Sequence, residues 1–314
     1  SSQAAVPGNS AEVKQFLAAH SGELVELQSP DSSARVLLSP RYQGRVMTST
    51  AAGDSGSSFG WINFPLIASG EIRKQFNPVG GEERFWMGPE GGQYSIFFKA
   101  GDSFDIAHWQ VPAFIDTDSF ALVQKDSRQA RFSHDASIVN YSGIGFRLHI
   151  DRTIRILDTA EIARQLGVPL PDSLRMVGYE SINRITNTGS SDWSEKNGLL
   201  SVWLLGQFTP SPETFVILPF YPVAHARSYM TDNYFGTIPP GRLRVRDSII
   251  IFTCDGHYRS KIGLAPRVAK PVAGSFDFSN NTLTLLVTSI DSTKPYVNSK
   301  WEWQQEPFKG DAVN

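Results

Sequence analysis

Apolar and polar residues alternate along most of this chain, in short runs broken by Gly, Pro, Asp and Ser. ARVLLSP, GRVMTSTA, FGWINFPLIAS, QYSIFF, SFALVQ and ARFSHDASIVN are β-rich runs of this kind. The clearest alternation is GFRLHIDRTIRIL, residues 145–157. It sets Phe146, Leu148, Ile150, Ile154 and Ile156 on one face and Arg147, His149, Asp151, Thr153 and Arg155 on the other, which predicts a strand with one buried and one polar face. MVGYESINRITNTG, GLLSVWLLGQFTP, TFVILPFYPV, DSIIIFTCDGHYRSKIGL and GSFDFSNNTLTLLVTSI continue the habit. The last two carry the turn pairs Asp255-Gly256 and Asn280-Asn281, which predict hairpins. One helix is predicted near the start, about 10–21. Asn9 caps it, Glu12 completes a capping box, Gly22 ends it, and Val13, Phe16, Leu17 and His20 form its inward stripe, with His20 a helix-end residue. A second, short helix reads from DTAEIARQLG, stopped by Gly167 and Pro169. No linker divides the chain, so these elements predict a single all-β domain over 1–314, a large antiparallel β-sandwich with a short N-terminal helix.

Composition narrows the function classes. Hydrophobic residues make up 40% of the 314 residues and charged residues 19%, ample for a core. A net charge of −2 gives no electrostatic footprint for nucleic acid, and no apolar run is long enough to span a bilayer. Cys254 stands alone, which excludes an internal disulfide and a cysteine-based zinc cluster, and reads as a small apolar strand residue. The opening SSQAAVPGNS fits a mature chain after removal of an export or lipoprotein signal, or a trimmed start. The expectation is a periplasmic or cell-surface location. The ending FKGDAVN, with no turn, cap or closing strand, reads as the edge of a fragment.

Few motifs carry chemistry. GDSG at 53–56 lies in a Ser/Gly-rich loop whose only upstream histidine is His20, so it reads as a loop and not a protease nucleophile. Asp116 and Asp118 read as turn residues more than as a metal pair, no metal or cofactor is expected, and there is no phosphate-binding loop or complete dinucleotide fingerprint. The aromatic inventory says more. Seven Trp, nine Tyr and twenty Phe lie beside Arg, Asp, Glu, Asn or Gln in stretches such as RFW, HWQ, TDNYFG and KWEWQQ. Rings that stack on pyranose C–H faces, flanked by groups that bind hydroxyls, suit a carbohydrate ligand, and Trp109 and Tyr234 belong to this set. His225, in the long aromatic loop FYPVAHARSYMTDNYFG, is the histidine best placed for chemistry. The segment GGEERFWMGPEGG, residues 80–92, admits two readings. Either Arg84, Trp86 and Glu90 project into a sugar cleft, or Trp86 is a buried plug beside an Arg84–Glu90 ion pair.

Taken together, RYQGRVMTSTA, GGEERFWMGPEGG, INRITNTG and LTLLV resemble the galactose mutarotase-like superfamily. NYFGTIPPGRL, DGHYRSKIG and YVNSKWEWQQEPFKGDAVN resemble an uncharacterised bacterial branch of it. The resemblance implies a β-supersandwich fold and, in aldose epimerases of the superfamily, a glutamate base and a histidine acid acting at the anomeric centre of a sugar. Carried onto this chain, the base falls on Glu302, with Gln304 completing Glu-x-Gln; the candidate acid is His225, chosen for its place in the aromatic loop and not by a match to the epimerase histidine. The epimerase strand histidine is absent from GLLSVWLLGQF. The implied function is a sugar mutarotase or epimerase-like enzyme. The alternative is a glycan-binding protein that kept the cleft and lost the acid–base pair.

Overall fold

The fold is given by a computed structural model that describes residues 5–314. Its first helix, α1 (Ser10–His20), is fixed by its cap. Asn9 Oδ1 accepts the Glu12 N–H at 3.0 Å, and Glu12 Oε2 accepts the Gly8 N–H at 2.7 Å. Val13 and Leu17 bury against Leu37, Met47, Ile62, Leu66, Ile67 and Val79. His20 is the expected helix-end residue, with Nδ1 2.9 Å from the Phe16 carbonyl oxygen and its ring stacked on Phe16 at 4.4 Å.

The chain forms two compact units. One runs to Glu90 and resumes over Tyr94–Thr209, and the other comprises Gly91–Gln93 and Pro210–Asn314. Gly91–Gln93 joins the second unit through side-chain amide hydrogen bonds: Gln93 Nε2 donates to the Gln305 carbonyl at 3.0 Å, and Gln305 Nε2 to the Gly91 carbonyl at 3.3 Å.

In the first unit, β1 (Val25–Gln28), β2 (Arg35–Ser39), β3 (Arg45–Thr50), β4 (Glu83–Gly88) and β9 (Ser201–Gly206) make one antiparallel sheet in that order. The other holds β5 (Ala121–Lys125), β6 (Gln129–Val139), β7 (Gly145–Leu157) and β8 (Gly178–Asn187). The expected antiparallel all-β class is what forms. The β7 alternation holds, with Phe146, Leu148, Ile150, Ile154 and Ile156 buried. Position 152, on that same inner face, is an arginine. Arg152 is fully buried and ties the two sheets together: Nε donates to the Gly44 carbonyl at 2.9 Å, Nη1 to Asn183 Oδ1 at 2.8 Å, and Nη2 to Glu83 Oε2 at 3.0 Å.

Two runs that read as strands fold otherwise. Within FGWINFPLIAS, Phe64–Ser69 is helix α2, because Asn63 Oδ1 accepts the Leu66 N–H at 3.2 Å, Pro65 suits the first turn, and Gly70 closes the end at φ 68°. QYSIFF makes turns, with Ser95 Oγ donating to the Glu90 carbonyl at 2.5 Å and accepting the Phe97 N–H at 3.0 Å. The short helix after β7 is α3 (Thr159–Leu166), with a full capping box between Asp158 and Glu161.

In the second unit, β10 (Thr214–Pro219), β12 (Leu243–Arg246), β13 (Ile249–Thr253), β15 (Val272–Asp277) and β16 (Thr282–Val287) pair in the order β12-β13-β10-β15-β16. The two-residue strands β11 (Met230–Thr231) and β14 (Gly263–Leu264) pair separately. Leu218, Phe220, Ile250, Phe252, Ile262, Leu264 and Val268 form its core. The Asn280-Asn281 turn joins β15 to β16 as expected. Asp255-Gly256 does not close a hairpin. The Asp255 carboxylate is held by Arg242 at 2.7 and 3.2 Å and accepts the His257 N–H at 3.0 Å, and the chain beyond it runs irregularly to Gly263.

Candidate functional site

The residues singled out by sequence divide between the units. Arg84, Trp86, Glu90 and Trp109 fall in the first, and His225, Tyr234, Glu302 and Gln304 in the second.

The first group meets around one aromatic cluster. Residues Arg84 to Gly88 of β4 are all buried, with Arg84 4% and Trp86 2% exposed. The Trp86 ring packs on Phe76 and Phe97, and Trp109 stacks on Phe97 and meets Phe76 edge-on. The Arg84 guanidinium lies 4.6 Å over the Trp86 ring, donates to the Ile115 carbonyl at 2.5 Å, and stands 4.0 Å from Asp116 Oδ1. Glu90 Oε1 accepts the Trp86 indole N–H at 3.1 Å. Burial lowers the Arg84 pKa to about 10 and raises that of Asp116, with Asn77 and Arg84 offsetting the latter in part. The leading glycine pair answers to packing. At Gly81, φ is 113° and a Cβ would lie 2.3 Å from Arg45 Cδ.

Beside this cluster stands a carboxylate that sequence reasoning passed over. Glu82 is 2% exposed; its Oε1 accepts Ser49 Oγ at 2.6 Å and the Tyr179 hydroxyl at 3.1 Å, while Oε2 is buried with no partner. Burial pushes its pKa up to about 7 against the two hydrogen bonds. Its sequence neighbourhood, GGEER, does not distinguish it from the adjacent Glu83.

The second group is more open. Tyr234, half-buried, donates its hydroxyl to Asp311 Oδ2 in a short hydrogen bond, and its ring carries the Lys261 ammonium at 4.4 Å and that of Lys300 at 5.9 Å. Burial and the Asp311 charge raise the Tyr234 pKa, so the hydroxyl stays protonated. A Cβ at Gly263 would lie 2.1 Å from Asp311 Oδ2, so the pair needs glycine there. The Glu302 N–H donates to the Lys300 carbonyl at 2.9 Å, and Gln304 has φ 54°; both side chains are exposed. His225, exposed at φ 56°, starts a short 3-10 turn and accepts Ser228 Oγ on its carbonyl at 2.7 Å. Among the described residues, no hydrogen bond or ion pair joins His225 to Glu302. Asp311 was missed as a partner because it lies 77 residues from Tyr234 in sequence.

Among the described residues, no group of three or more His, Cys, Asp or Glu side chains is placed to hold a metal ion, and no helix is long and apolar enough to cross a membrane. Gln43 Nε2 holds the carbonyls of both Asp116 and Asp118, at 3.0 and 2.6 Å.

The chain belongs to a family of unknown function, DUF6786, whose model matches residues 9–314. This agrees with the uncharacterised branch implied by the sequence motifs. Two solved structures are similar to it. One is a galactose mutarotase-like protein from Lactobacillus casei ATCC 334, 12% identical, covering 85% of this chain and 83% of that one, with a TM-score of 0.40. The other is the Slr1438 protein from Synechocystis sp. PCC 6803, 12% identical, covering 93% and 86%, with a TM-score of 0.41. No curated protein sequence matches the chain.

Proposed function

We propose that this protein binds carbohydrate through the exposed aromatic side chains of its second unit. The observation that carries this reading is how the aromatic side chains divide. Among the described Phe, Tyr and Trp residues of the first unit, Phe208 alone is exposed, at 39%, whereas the second unit exposes Tyr221, Phe235, Tyr258, Phe278 and Trp303. Several of these rings carry a cation: Arg259 lies 4.3 Å over Phe235, Arg242 5.2 Å over Tyr258, and Lys270 5.4 Å from the Tyr221 centroid. Exposed rings flanked by hydrogen-bond donors are costly to leave in water and suit the alternating apolar and hydroxyl faces of a pyranose. Display in the periplasm or at the cell surface, where polymeric sugars are met, is part of the same proposal.

A second reading, turnover at the anomeric centre, is favoured by the Tyr234–Asp311 pair. Ring opening needs a base for the anomeric hydroxyl proton and an acid for the ring oxygen as the C1–O5 bond breaks. Tyr234 and Asp311 form an oriented donor and acceptor, which His225 and Glu302 do not. Binding is tested on a glycan array, followed by calorimetric titration of the ligands found against wild type, Trp303→Ala and Tyr258→Ala. Turnover is tested by polarimetry of freshly dissolved α-galactose and α-glucose, with Tyr234→Phe, Glu302→Gln and His225→Ala. Binding lost in the two ring variants, with no accelerated mutarotation, is the expected result; no binding to any glycan contradicts it.

A further inference from the structure

The polar face of β7 ends at a cleft in the first unit that none of the candidate site residues described above lines. Its volume is about 520 Å³, within the range of small-ligand sites, and its walls include Ser137, Val139, Phe146, Arg147, Asn187 and Trp193. Arg147 is the one charged residue among those lining it. The carboxylates that follow along the same face are engaged elsewhere. Asp135 lies 2.6 Å from His149 Nδ1, and Asp151 meets Arg131 at 2.7 Å and His149 at 3.5 Å. Asp192 and Glu195 flank Trp193 in sequence but do not line the cleft. Among the described residues Arg147 is exposed and enters no ion pair.

The Asn187–Trp193 side of the cleft is held in shape before any ligand arrives. The Thr188 N–H donates to the Arg147 carbonyl at 2.9 Å, Asn187 Oδ1 accepts the Gly189 N–H at 2.9 Å, and Asn187 Nδ2 donates to the Ser191 carbonyl at 2.8 Å. Trp193, half-buried, is fixed edge-to-face on Phe146 at 5.7 Å. A fixed indole, an exposed valine, serine hydroxyls, an amide and one unpaired guanidinium fit a sugar ring that bears a negative charge. A planar guanidinium binds a planar carboxylate through two parallel hydrogen bonds, which a neutral hydroxyl cannot match.

We infer that this cleft is a binding site for an acidic saccharide, with Arg147 taking the carboxylate of a uronic acid residue and Trp193 supporting its ring. Every residue lining the cleft belongs to the first unit, and the inference does not rest on the carbohydrate reading of the second.

The test is calorimetric titration of the full chain with tetragalacturonate and with its methyl-esterified counterpart, which keeps the rings and removes the charge. The acid is expected to bind, and esterification to weaken binding roughly ten- to hundredfold, the worth of a charge-assisted hydrogen bond. Arg147→Gln should lose the same factor and erase the difference between the two ligands. Arg147→Lys should keep part of it, and Trp193→Ala should weaken both ligands. Raising salt from about 0.05 to about 0.5 M should weaken the acid alone. Circular dichroism of each variant controls for folding. Equal binding of acid and ester, a preference that survives in Arg147→Gln, no binding of the acid, or binding lost only in Trp303→Ala would each overturn the assignment.

Discussion

Replacing Glu82 by Gln should flatten the dependence of stability on pH. Glu82 is 2% exposed, one of its oxygens has no partner, and its pKa rises from 4.5 to about 7 on folding. A raised pKa means that the folded state holds the proton more tightly than the unfolded chain. The associated stability is fully present below pH 4.5, is lost as pH rises, and is gone once the pH passes about 7. A shift of about 2.5 units at roughly 1.4 kcal/mol each makes the loss about 3 kcal/mol, a large share of the stability of an ordinary domain. Gln keeps an oxygen for Ser49 Oγ and the Tyr179 hydroxyl and places an amide where the unpartnered oxygen stood, at a cost that does not vary with pH. Asp116, also raised by burial, contributes with the same sign in both proteins, so the difference between them isolates Glu82. Urea unfolding followed by tryptophan fluorescence between pH 4.5 and 8.5 measures it. Wild type should lose about 3 kcal/mol more than Glu82→Gln across that range. Parallel curves would refute the reasoning, because they would mean that the buried carboxylate titrates alike in both states.

Arg152→Ala should destabilise the first unit by about 3–5 kcal/mol in denaturant titration, because it strands Glu83, whose side chain is only 12% exposed, without its counter-charge. The double variant Arg152→Met/Glu83→Gln should recover part of that loss. Trp86→Ala, at 2% exposure, should cost about 3–5 kcal/mol, and Trp303→Ala, at 56%, should cost less in the same assay.

The sequence made visible what depends on neighbours a few residues apart. The β7 alternation, the α1 cap at Asn9 and the Asn280-Asn281 turn each need only local chemistry, and each formed as expected. FPLIAS misled because a six-residue apolar run has no periodicity of its own; its Asn63 cap and Gly70 stop were the signals to weigh. Asp255-Gly256 misled because Arg242, thirteen residues back, claims the aspartate. Arg152 sat on the apolar face of a strand, and nothing local could reveal that Glu83, 69 residues away, would meet it there.

The candidate sites were legible in proportion. Arg84, Trp86 and Trp109 share a stretch rich in rings, but only the fold shows that β4 buries Arg84 and Trp86. Tyr234 stood out by its aromatic company, yet the carboxylate that orients it comes from the far end of the chain. The Arg147 cleft depends on a strand residue and a loop tryptophan brought together by the β7–β8 register, in which Leu148 faces Asn187. The turn TNTGSSDW carried the only local hint of it.

The central claim, that carbohydrate is bound on the exposed aromatic side chains of the second unit, is tested most directly by the indole N–H resonances of the seven tryptophans. With the proteins assigned by single Trp→Phe substitutions, a proton–nitrogen correlation spectrum is recorded as a neutral oligosaccharide found by the array is added. The account predicts that Trp303 shifts in a saturable way while the buried Trp86 stays in place. A saturable shift of Trp86 with Trp303 unmoved would contradict it and place the sugar at the β4 cluster instead.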